Sequence, residues 1–198
     1  MKNNFNFIII LIIFFFPISI FGQNKTSNNV IKNSNSIKKT LQSKKYSLEF
    51  EKSCDLNQDG IEDKILLFKG DTKNYNNEDD LETLDSPIYI ILSDGKILSN
   101  KESLYTFIPN NSNLDDNIVV KKNYFTVEQT TGNGNNKETQ YITFKYADNE
   151  LLLYKYGSVT TYPRAGKIVK QTEIYTRENF GKIKFENFNI EAIKSKIK

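Results

Sequence analysis

Ser47-Leu48-Glu49-Phe50-Glu51, then Asp55-Leu56-Asn57-Gln58-Asp59-Gly60-Ile61-Glu62-Asp63, then Ile65-Leu66-Leu67-Phe68 place three patterns in succession. The first alternates apolar and polar residues with period two, the pattern of a half-buried strand. The third is a short apolar run, which reads as a strand covered on both faces. Pro87-Ile88-Tyr89-Ile90-Ile91-Leu92 repeats that third pattern, and Asp94-Gly95 before Ile97 is a hairpin signal requiring positive φ. Further strands are expected at 118–121, 124–129, 139–146, 150–156, 167–176 and 182–188. Their connectors are rich in turn formers, such as Lys122-Asn123, Ala147-Asp148-Asn149 and Pro163-Arg164-Ala165-Gly166. Short links make successive strands antiparallel neighbours. The expected fold is therefore mainly β, an antiparallel meander closing into a barrel, sandwich or curved sheet. Ile190, Ile193 and Ile197 are spaced three and four apart and predict a short C-terminal helix.

Upstream of Tyr46 the composition changes. Phe7 to Phe16 is an unbroken apolar run between Lys2 and Lys25, too short to span a bilayer, and residues 1–23 read as a signal peptide. Residues 24–45 are rich in Asn and Ser, carry six lysines and no acid, and predict a basic flexible linker. Residues 46–198 are then one β-rich domain. The chain is 198 residues long with 27 basic and 24 acidic residues. Seven of the basic residues precede Tyr46, so 20 face 24 acidic ones in the body. A balance so near neutral does not suggest a nucleic-acid partner. The basic linker offers weak contact with an anionic envelope surface.

The composition also excludes chemistry. With no His there is no Ser-His or Cys-His nucleophile pair and no His-ligated metal. With one Cys there is no internal disulfide, CxxC pair or Cys-built cluster, and Cys54 reads as a small buried apolar group.

The candidate site is the middle pattern, DxNxDGxxD. Asp55, Asn57, Asp59 and Asp63 supply side-chain oxygens at positions 1, 3, 5 and 9, Gly60 permits a tight turn, and the Ile61 carbonyl is the fifth donor. All-oxygen donors suit calcium rather than zinc. Position 12 is Leu66, so the segment is not an EF-hand. Over Cys54 to Phe68 it resembles the calcium loops of FG-GAP and VCBS-type repeats, and small exported bacterial proteins with one such loop before a β-rich body. The resemblance implies the same five ligands. A single copy argues against a propeller.

Other constellations are weaker. Ser93-Asp94-Gly95-Lys96 has the SxxK spacing but lies in a turn, and Thr131-Gly132-Asn133-Gly134 lacks the lysine and helix of a phosphate loop. Tyr141, Tyr146, Tyr154, Tyr156, Tyr162 and Tyr175 could line a sugar-binding face, although aromatic residues favour strands regardless. The resulting expectation is an exported, periplasmic or extracellular, non-catalytic calcium-binding module for an unidentified protein or glycan ligand. One alternative is a hydrolase using carboxylates such as Glu128, Glu138 or Glu173. Another is an inhibitor or immunity-type protein acting through the acidic 70–86 loop.

Overall fold

The computed structural model describes residues 25–70, 86–101 and 118–197. The expected signal peptide and nearly all of the acidic 70–86 loop lie outside these residues. Two antiparallel sheets and a short C-terminal helix make up the fold, and the sheets do not close into a barrel.

The first sheet holds β1 (Lys25–Thr26), β2 (Ser47–Cys54), β3 (Ile61–Lys69), β4 (Ile88–Ile91) and β5 (Ile97–Asn100). β3 is its centre, antiparallel to β2 and β4, with the two residues of β1 added in parallel at Ile61 and Glu62. The second sheet is a pure meander of β6 (Ile118–Lys121), β7 (Tyr124–Asn133), β8 (Asn136–Ala147), β9 (Glu150–Arg164) and β10 (Lys167–Thr176). Positive φ values at Lys122, Asp148, Asn149, Ala165 and Gly166 mark three of its hairpin turns.

One core joins the sheets. Ile65, Leu67, Ile88, Ile90 and Leu98 of the first meet Phe125, Val127, Ile142, Phe144 and Leu153 of the second. The C-terminal segment closes this core. Residues 182–188, expected as a strand, instead contain the 3-10 turn Phe185–Asn187, because Phe185 and Phe188 both enter the core and lie three positions apart. Phe144 meets both rings edge-on at 5.2 and 5.4 Å. Asn100 Nδ2 donates to the Phe185 and Phe188 carbonyls at 2.6 and 3.0 Å, which ties β5 to the turn. After α2 (Arg177–Phe180), the predicted tail helix is present as α3 (Ile190–Lys196), capped by the Asn189 side chain.

The linker expectation needs correction. Asn28–Ser43 forms α1, a 16-residue helix packed on the first sheet. Its buried stripe is Val30, Ser34 and Leu41, with Ile37 partly buried beside them, spaced four, three and four residues apart. Ser34 occupies an apolar position, which hides the helical period in the sequence. Its hydroxyl is buried without a hydrogen-bond partner among the described residues. The stripe covers Leu66, Phe68 and Ile91, so β3 is buried on both sides, as its unbroken apolar run predicts. Each apolar side chain buried there contributes about 1.5–3 kcal/mol relative to exposure.

Candidate functional site

The DxNxDGxxD loop connects β2 to β3, and its side chains bond mainly to its own backbone. Asp55 accepts from the Asp59 and Gly60 N–H groups through its two oxygens, both at 3.0 Å. Asn57 Oδ1 accepts from Asp59 N–H at 3.1 Å, and Asp59 Oδ1 from Ile61 N–H at 2.8 Å. These are nested Asx turns, which let Gln58 and Gly60 adopt φ values of 62° and 81°.

Asp63 lies at the bottom of the loop and is fully buried. Its Oδ2 accepts from Leu56 N–H at 2.8 Å and Asn57 N–H at 3.2 Å, and its Oδ1 accepts from Ser93 N–H at 2.7 Å. Burial pushes the Asp63 carboxyl above the usual carboxylate range, and the three N–H bonds oppose that rise without cancelling it. For Asp59, burial also acts upward, but bonds from the Ser93 hydroxyl, the Ile61 N–H and the Asn57 amide outweigh it, and the net shift is downward.

This arrangement overturns the calcium expectation. Among the described residues, no three His, Cys, Asp or Glu side chains come together so as to hold a metal ion. Asp55, Asn57, Asp59 and Asp63 direct their oxygens to N–H groups and to Ser93, and Ile61 begins β3. The carboxylates of Asp55 and Asp63 are instead stabilised in place by two and three backbone N–H dipoles, and Asp59 by one N–H and two side-chain donors.

The loop instead forms a junction. Ser93 belongs to the β4–β5 turn. Its hydroxyl donates to Asp59 and accepts from Asn57 Nδ2, the latter at 3.1 Å. Ser27 caps α1 by accepting from Val30 N–H and donates to the Ser93 carbonyl at 2.9 Å, while Asn33 Nδ2 donates to the Gly95 carbonyl. Loop, hairpin turn and helix start thus meet around Asp63 and Ser93.

The SxxK pair is not assembled, since Lys96 Nζ donates to the Asn149 carbonyl and the Ser93 hydroxyl faces Asp59. Glu138 lies level with Gln171, two strands across from β10 and two rungs along from Glu173, a backbone separation of about 12 Å. Glu128 and Glu138 fall on opposite faces of the sheet. The Thr131–Asn136 segment is a hairpin tip. Cys54 is half-buried, and burial is the main cause that pushes its thiol up to about 12.

The tyrosines divide. Tyr146 and Tyr156 are buried in the core, and Tyr175 stacks on Tyr156 at 6.2 Å. Tyr154 is 48% exposed on the other face of the second sheet. It meets Tyr124 edge-on at 5.1 Å, with Lys145 Nζ 5.4 and 5.9 Å from the two ring centroids. Thr126 and Thr143 share a hydroxyl–hydroxyl bond of 3.0 Å between adjacent strands, as do Thr130 and Thr139. Sequence reasoning missed Tyr124 and Lys145, because the register that places them beside Tyr154 contains a bulge at Thr143/Phe144. It also missed a cleft of about 470 Å³ lined by Lys182, Lys184, Lys196, Glu150 and Ile193. There, bonds from Lys182 and Lys184 pull the Glu150 carboxyl down to about 2.

Fold and surfaces define a mainly β protein of two antiparallel sheets, one covered by a helix and one left open on its outer side among the described residues. No protein-family model, characterised protein or solved structure matches the chain.

Proposed function

We propose that the chain is an exported, non-catalytic binding module of the bacterial envelope or medium that engages a glycan or polypeptide with the outer face of β6–β10. The observation that supports this reading is the Tyr124–Tyr154–Lys145 cluster on that face. Tyrosine presents a large, stiff ring with a polar tip, and a cation beside it adds a donor, a combination suited both to sugar rings and to peptide ligands. Export rests on the apolar run Phe7 to Phe16. The test is retention on purified cell-wall glycan and on immobilised envelope proteins, wild type against Tyr124→Ala/Tyr154→Ala. Binding to one of the two should fall by about tenfold or more in the variant. Equal retention of both proteins, or hydrolysis of the glycan by the wild type, would defeat the proposal.

A further inference from the structure

The two most exposed large apolar side chains among the described residues are Ile168, at 54%, and Ile174, at 59%. Both belong to β10, the edge of the second sheet. β9 pairs with β10 along its whole length from Lys167 to Thr176 without a bulge, and no described strand lies on its other side. A regular ten-residue edge without Pro is an open template for another strand. The other sheet edges are blunted. β2 carries a bulge between Leu48 and Phe50, β5 has four residues and packs against the Phe185–Asn187 turn, and β6 has four residues.

We propose that this edge pairs with itself: two copies of the chain join β10 to β10, antiparallel, about a two-fold axis through Gln171, and their sheets become one continuous sheet. Such a two-fold stands normal to the sheet and keeps each side chain on its own face, so only residues of the same parity meet. With Gln171 on the axis, Ile168 lies opposite Ile174 of the second copy, and the contact occurs twice. On the other face, Glu173 lies opposite Val169 and diagonal to Lys167 of the second copy, within reach of a charge pair. Neighbouring registers lose these matches. An axis at Lys170 sets that lysine directly opposite its own copy, and an axis at Thr172 sets Ile174 opposite Lys170. The sequence of β10 is thus self-complementary in one register, and that register covers its exposed isoleucines. The inference is independent of the ligand reading above.

The register makes the test specific. In the full-length chain carrying Cys54→Ser, Gln171→Cys places two thiols across the axis. Opposed Cα atoms in an antiparallel pair are about 4.5–5.5 Å apart, within the span of a disulfide. Under mild oxidation Gln171→Cys should form a covalent dimer about tenfold faster than Ile168→Cys or Ile174→Cys alone. Mixing those two single variants should produce the mixed dimer. Adding Ile168→Lys and Ile174→Lys to Gln171→Cys should slow its cross-linking by about tenfold or more. These side chains are exposed in the single chain, so the lysine variant should keep the circular dichroism spectrum of the wild type. Gln171→Cys chains that stay monomeric, or Ile168→Cys chains that cross-link alone as fast, would overturn the proposal.

Discussion

The two sheets hold strands of similar composition in unlike surroundings. β3 is covered on one side by the core and on the other by α1, and Ile65, Leu66, Leu67 and Phe68 are all buried. β8 and β9 are buried mainly on their core side and mainly near their shared turn. Beyond Ile142 and Gly157 toward the far turn, their residues are half-buried or exposed. Strand identity and strand environment are therefore separate matters. Period two or a short apolar run specifies a strand, but what lies on its second face depends on another part of the chain.

The largest effect should come from removing what the helix covers. Phe68→Ala vacates a fully buried site against Tyr89 and α1 and should cost about 3–5 kcal/mol in chemical denaturation. Tyr154→Ala, on the open face of the second sheet, should cost less than about 1 kcal/mol. Equal costs would mean that the outer face of the second sheet is covered after all, and the comparison would collapse.

The junction on the first sheet comes next. Asp63→Ala leaves the N–H groups of Leu56, Asn57 and Ser93 without their acceptor and should cost about 3 kcal/mol, read from urea melts. A loss under about 0.5 kcal/mol would show that the loop does not depend on this carboxylate.

The smallest effect concerns the clasp between helix and sheet. Glu51 of β2 bonds Lys38 of α1 and Lys64 of β3, both at 2.5 Å. Burial acts on its carboxyl upward, yet the bonds from the two lysines prevail and hold it below the usual range. A lowered folded pKa contributes stability that is present above the unfolded value, about 4.3, and is lost as pH falls through the folded value. Glu51→Gln should therefore cost about 0.5–1 kcal/mol at pH 7, and the gap to wild type should close as the pH falls below about 4. A gap unchanged at low pH would assign the effect to packing. Asp63 carries the opposite sign. Its raised pKa contributes stability below the unfolded value that is lost as pH rises through the folded one, which offsets part of the Glu51 term in wild-type acid melts.

Legibility followed the range of the physics. Alternation at Ser47–Glu51, the apolar run at Ile65–Phe68 and the turn residues between β6 and β10 all act over a few neighbours, so they could be read directly. α1 was hidden because Ser34 sits in the buried stripe, where a hydroxyl interrupts the apolar period although the backbone remains helical. The turn at Phe185–Asn187 was hidden because strand-forming residues were drawn into the core with a spacing of three, under the pull of Phe144 and Asn100.

The candidate site shows the same division. A tight, oxygen-rich turn at Asp55–Asp63 follows from local sequence, since Asx side chains and Gly60 act on their immediate neighbours. Which atoms those oxygens would meet was decided by the tertiary structure. Asp63 reaches Ser93 across 30 residues, and only the pairing of β3 with β4 brings that N–H to it. The same pairing brings the Ser93 hydroxyl to Asp59, because a side chain's partner across a sheet is set by register and not by spacing along the chain.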